Sequence, residues 1–157
     1  MKLIPYSDVL LVKKSHSFWG YAVKAFLRQK YIHSEYVISD WLTMGTDIKR
    51  PVSVLPFGYK ISEIDIYRLK KPPTDRQREI IIEELQKASK MKYDWWEAIC
   101  AGFSIPVRDN NRYICISLIT EALEKAGCIC IGCHRRFKGF DIFTESGYFE
   151  CMSERGE

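Results

Sequence analysis

Tyr31-Ile32-His33-Ser34-Glu35-Tyr36-Val37-Ile38-Ser39-Asp40-Trp41-Leu42-Thr43-Met44-Gly45-Thr46 is the stretch on which the fold turns. Its first eight residues are rich in β-branched and aromatic side chains, and a second such run follows the polar pair Ser39-Asp40. That pattern predicts a β-hairpin, with strands over Tyr31–Ser39 and Trp41–Thr46. A two-residue turn pairs Ile38 with Trp41, so that paired residue numbers sum to 79 and Thr46 stands opposite His33. A loop one residue longer brings Asp47 there instead. Cβ atoms of directly opposed residues lie ~4.5–5.5 Å apart, close enough for a side chain on one strand to orient its partner.

Working outward, Asp8-Val9-Leu10-Leu11-Val12 is a short apolar run that predicts a buried strand. Ser17 can cap a helix from Phe18 to about Gln29, with Val23, Phe26 and Leu27 on its inner face. Pro51–Pro56 and the alternating Ile64–Leu69 predict two more strands, and Pro72-Pro73 closes this strand-rich half. Thr74-x-x-Gln77 then forms a capping box for a helix reaching about Met91, with Ile81, Leu85 and Ala88 on one face. Asp94 to about Phe103 predicts a shorter helix, and Arg108–Arg112 a polar loop. From Cys115 the chain is helical until Gly127 stops it. Strands first and helices later argue for an α+β domain spanning residues 1–157. The connections are too short for crossovers, so the strands are expected to pair antiparallel, as a small sheet or partial barrel against the helices.

Composition excludes several classes. The chain has 157 residues, 46% of them hydrophobic and 28% charged, so it can bury a core and is neither disordered nor fibrous. A net charge of +4, with the signs interspersed, does not point to nucleic acid. His134-Arg135-Arg136-Phe137-Lys138 reads as a solvated basic surface, and no nucleic-acid partner is expected. No apolar run approaches the ~18 residues of a membrane span. The opening Met1-Lys2-Leu3-Ile4-Pro5 has no signal-peptide core, so a cytoplasmic setting, or delivery by a phage or cell lysis, is expected.

Six cysteines and three histidines carry the possible chemistry. Cys128, Cys130 and Cys133 cluster beside His134, but structural zinc usually takes two ligand pairs held apart by a loop. Ordinary thiols are expected there, with no metal and no disulfide scaffold. His16 and His134 lie in basic, solvated stretches, whereas His33 opens a buried strand. Cys115 shares a helical face with Leu118, Ile119 and Ala122, so it could be a small core side chain. It is also the first residue of that face, where the positive end of the helix dipole stabilises a thiolate and free N–H groups can hold an oxyanion. Cys100 falls in mid-helix, and Cys128 to Cys133 fall past a helix end. A Cys–His pair is what a thiol nucleophile needs, and the two are expected within ~4 Å. Glu35, two residues along the strand from His33, is a weaker orienting candidate than Thr46 or Asp47, at ~6.6 Å by strand rise.

The order of these elements resembles a known family. An opening strand at Ser7–Val12, then Tyr31–Ile38 with His33, Tyr93-Asp94-Trp95, Tyr113–Gly127 with Cys115, and Phe140–Thr144 are similar to the circularly permuted NlpC-type papain-like cysteine hydrolases, the YaeF/YiiX-like branch. In that branch the histidine precedes the cysteine, as here. The resemblance implies a permuted papain-like fold, with Cys115 as nucleophile, His33 as general base and the orienting residue at Thr46 or, alternatively, Asp47. Two positions depart from it. Relatives often carry an acid two residues after the cysteine, where this chain has Ser117, and an acid at the orienting position, where it has Thr46.

The implied activity is hydrolysis of an amide bond in a cell-wall peptide or an acylated amino acid through a thioester, without metal or organic cofactor. The expected partner is therefore a small peptide, amino-acid amide or acyl substrate. A lipid acyl hydrolase or acyltransferase is the related alternative. A binding module of the same fold without turnover is the alternative from another class, favoured by Ser117 and Thr46.

Overall fold

The computed structural model describes residues 3–13, 30–47, 50–58, 60–89, 92–93, 112–113, 115–130 and 139–152. The expected helices at Phe18–Gln29 and Asp94–Phe103 lie outside these residues, as do His16, Cys100, Cys133 and His134.

The architecture is α+β, built on an open antiparallel sheet of six strands. Its strands are β1 (Asp8–Val12), β2 (His33–Val37), β3 (Leu42–Asp47), β4 (Arg50–Pro56), β5 (Ile64–Leu69) and β8 (Phe149–Cys151), in the order β4-β3-β2-β1-β5-β8. A separate parallel pair joins β6 (Lys92–Tyr93) to β7 (Arg112–Tyr113), where the sequence predicts the end of a polar loop. The apolar run Asp8–Val12 becomes the strand between β2 and β5 because it can be buried on both faces. Val9, Leu11 and Tyr36 join the core under the helices, while Leu10, Val12, Val37, Ile64 and Ile66 form a second core across the sheet.

Helices α1 (Asp75–Ala88) and α2 (Cys115–Lys125) cover the first of these cores. The capping box of α1 forms as expected: Thr74 Oγ1 accepts from the Gln77 N–H, and Gln77 Oε1 accepts from the Thr74 N–H. Gln77 Nε2 also donates to Ala126 O at 3.0 Å, which ties the start of α1 to the end of α2. Gly127 ends α2 with φ +70°, while Cys128 N bonds Leu123 O and Gly127 N bonds Glu124 O. Those two bonds make a Schellman cap, whose left-handed residue glycine adopts without strain. Asp141–Thr144 forms the short helix α3 that leads into β8. No helix among the described residues is long and apolar enough to cross a membrane.

One buried ion pair fixes the β1–β5 register. Asp8 lies opposite Arg68, accepts from Arg68 Nε at 2.6 Å and Nη2 at 2.8 Å, and also accepts the Ile4 N–H at 2.7 Å. Removing one partner of a buried pair strands the other charge. Asp8→Ala is therefore expected to cost about 3 kcal/mol in urea unfolding, and Asp8→Asn less, because it keeps an acceptor. Equal stabilities for the two variants would show that the retained acceptor contributes nothing.

Candidate active site

Cys115 is the first residue of α2, and His33 is the first residue of β2. Helix α2 packs against β2 and β3, and this contact carries the thiol to the end of the sheet where His33 stands. The two side chains are hydrogen-bonded to each other. Cys115 is 7% exposed, and the His33 side chain is partly covered. The structure thus brings His33 and Cys115 together.

The hairpin register differs from that of a two-residue turn. Ile38 N and Ser39 N both donate to Leu42 O, and Ser39 Oγ accepts from the Trp41 and Leu42 N–H groups. The loop is thus Ser39-Asp40-Trp41, one residue longer than a two-residue turn. Tyr36 pairs with Met44 and Val37 with Thr43, so paired numbers sum to 80. Continued along the strands, that register sets Asp47 opposite His33, Thr46 opposite Ser34 and Gly45 opposite Glu35. A register shift against β4 between Gly45 and Asp47 follows at the same strand end.

Glu35 is the acid that meets the imidazole. Its Oε1 lies 3.3 Å from His33 Nε2, and its Oε2 accepts from Thr43 Oγ1 at 2.5 Å. The carboxylate is buried, so one oxygen faces the histidine while the other is anchored on β3. Glu35 follows His33 by two residues, which places both on one strand face, and that spacing was the signal in the sequence. Gly45 makes room for them. A Cβ there would lie 3.0 Å from Glu35 Cγ, 3.4 Å from His33 Nε2 and 3.5 Å from Ser34 O. Gly45→Ala is accordingly expected to displace the Glu35–His33 pair and cost about 1–3 kcal/mol through overpacking. Unchanged stability together with unchanged thiol reactivity would sink that expectation.

Ser34 supplies the remaining contacts. The β2–β3 pairing runs over Tyr36–Met44 and Val37–Thr43, short of Ser34, whose backbone bonds the Cys115 sulfur. Ser34 Oγ is fully buried beside that sulfur with no well-aligned hydrogen-bond partner.

These contacts set the protonation of the pair. Burial opposes a charged sulfur, but the hydrogen bond and positive charge of His33, followed by Ser34, outweigh it and hold the Cys115 thiol below its ordinary range. Burial likewise opposes an imidazolium. Hydrogen bonds to Cys115 and Glu35, and the negative charges of both, overcome it and raise His33 well above its ordinary value. Opposite charges at close range favour both ionised forms.

The other cysteines differ. Burial pushes the Cys128 thiol up, and Cys128 and Cys151 are free. Cys130, expected as an ordinary thiol, is disulfide-bonded, with its partner outside the described residues. Among the described residues no three His, Cys, Asp or Glu side chains are grouped to hold a metal ion.

No protein-family model and no curated protein matches the chain. Among solved structures it is similar to one titled the crystal structure of metalloprotein yiiX from Escherichia coli O157:H7, DUF1105, at 14% identity and a TM-score of 0.52. The match covers 78% of this chain and 66% of that one, so this chain spans just under two thirds of its length. At that identity the likeness concerns the fold alone, which is YiiX-like.

Proposed function

We propose that the protein is a thiol hydrolase in which Cys115 is the nucleophile, His33 the proton carrier and Glu35 the residue that orients His33. The observation that carries this reading is the thiol at the first residue of α2, bonded to an imidazole whose Nε2 is held by a buried carboxylate. Such a chain of thiol, imidazole and acid matches the general signature of an activated nucleophile.

With Nε2 on Glu35, Nδ1 is the nitrogen left to face the sulfur. In this reading the Cys115 thiolate attacks an acyl carbonyl. The backbone N–H groups that open α2 point to where the oxyanion forms. His33 then gives its proton to the leaving amine as the tetrahedral intermediate collapses to a thioester. Water attacks the thioester while His33 takes the water proton, which restores the free thiolate. The substrate class is an amide of an acylated amino acid or a short peptide, with lipid acyl esters as the alternative. The neighbour's description as a metalloprotein finds no matching donor set among the described residues, and no step here is routed through a metal.

The test is acid-quenched turnover of a panel of N-acyl amino-acid and peptide amides, read by mass spectrometry. An acyl adduct on the Cys115 peptide, absent in Cys115→Ala, is the expected result. Turnover that survives Cys115→Ala would remove the nucleophile assignment. The 7% exposure of Cys115 favours a second reading, a binding module without turnover, which predicts no adduct at all.

A further inference from the structure

A second cluster of charged groups stands at the same end of the sheet as His33. Val12, the last residue of β1, pairs with both His33 and Ile64, so Lys13 leaves the strand end beside Glu63 while Asp65 sits opposite Leu11, one residue inside that end. Lys30 precedes β2. The amines of Lys13 and Lys30 each lie 2.8 Å from a different oxygen of Asp65. Tyr31 OH donates to Asp65 Oδ2 at 2.9 Å and lies 3.1 Å from Tyr67 OH.

The charges do not cancel. Asp65 is 6% exposed and needs a cationic partner, which the more covered amine of Lys13 supplies. Lys30 is 61% exposed in its side chain and lies 5.1 Å over the Tyr31 ring, so its amine stays open to solvent while it is held in place. Burial raises both tyrosine hydroxyls above their ordinary values, which keeps them neutral. Among the described residues these two amines and one carboxylate leave a charge of +1, carried by the lysine that solvent reaches.

The cluster is also in register with the thiol. Ser34 touches the Cys115 sulfur, lies opposite Leu11, and Leu11 lies opposite Asp65. Paired residues share a sheet face, and Leu11 belongs to the same core as Cys115. Two strand spacings of about 4.8 Å put Asp65 on the order of 10 Å from Ser34.

We propose that Lys30, held by Asp65 beside Lys13, is a subsite for a carboxylate on the substrate, about 10 Å from the carbonyl that Cys115 attacks. This rests on the thiol-hydrolase reading and narrows it to acyl or peptide substrates that carry a free carboxylate. The single net charge matches a monoanion.

Two alkylating probes test this on the full chain. N-bromoacetyl-6-aminohexanoate places a carboxylate roughly 10 Å from its reactive carbon by extended-chain reach, and its primary amide is the neutral control. At low salt the acid should alkylate Cys115 about two- to five-fold faster than the amide, the range of an exposed ion pair. Lys30→Gln should abolish that preference without slowing the amide, and Lys30→Arg should restore it. An acid-to-amide ratio unchanged in Lys30→Gln overturns the subsite alone. Failure of both probes to label Cys115 overturns the hydrolase reading and the subsite with it.

Discussion

Iodoacetamide at about pH 6.5 is expected to modify Cys115 ahead of Cys128 and Cys151, and His33→Ala to slow that reaction about tenfold. An unperturbed thiol is only ~1% ionised at that pH, so a fully formed thiolate is ~100 times more abundant. Lower basicity also lowers nucleophilicity and removes part of that gain, which leaves roughly tenfold. Cys128 lies past the end of α2 with its thiol pushed up, and Cys130 is disulfide-bonded. The pH dependence has a definite sign. Because the Cys115 thiol is lowered, labelling should persist as pH falls below the ordinary thiol range and fade only through its own lowered value. Because His33 is raised, the ion pair should survive as pH rises past the ordinary imidazole range. For hydrolysis, the acid limb should lie below the ordinary thiol range and the alkaline limb above the ordinary imidazole range. Peptide mapping decides the matter: Cys128 or Cys151 reacting first would overturn the assignment.

The second large effect belongs to Glu35. Glu35→Gln keeps the volume and an acceptor for Thr43 Oγ1, but it removes the negative charge that holds His33 protonated. Turnover should fall about 10- to 100-fold, part of the ~10²–10⁴-fold that a whole general acid–base group contributes. The alkaline limb of its pH profile should move down toward neutrality. A merely structural role would lower stability and leave that limb in place. Glu35→Ala should also cost about 1–3 kcal/mol, because it strands the buried Thr43 hydroxyl and the imidazole. Thr46→Ala should move the limb less than either. An alkaline limb that does not shift in Glu35→Gln would return the orienting role to another residue.

The elements set by local signals were legible from the residues. Asp8–Val12 and Ile64–Leu69 have the bounds expected of them, because a run of apolar residues or a two-residue alternation needs no distant information. The Thr74–Gln77 box and the Gly127 stop are likewise local chemistry. The hairpin register was not legible, because it depends on one serine hydroxyl accepting two N–H groups around Trp41. That single residue of loop length moved Thr46 away from His33 and put Gly45 opposite Glu35. The Glu35–His33 contact is illegible for a separate reason. Strand rise alone separates Glu35 from His33, whereas long side chains on one face close the distance to 3.3 Å. Strand β8 carries no local signal, because its three residues are ordered mainly by the edge of β5.

His33 and Cys115 are 82 positions apart in the chain (115 minus 33), and their contact has a kinetic consequence. The strand between β2 and β5 cannot acquire its second neighbour until residue 64 has emerged, and α2 docks on β2 only after another fifty or so residues. Closing a loop of that length is slow compared with local turns and helices, and its entropic cost must be met before the contact rewards it. The acid-range reactivity of Cys115 should therefore be absent from any intermediate that holds only the sheet or only the helices. During refolding from urea it should appear with the final phase. Pulsed alkylation would then time the docking of α2 onto β2 from inside the protein, with no added label.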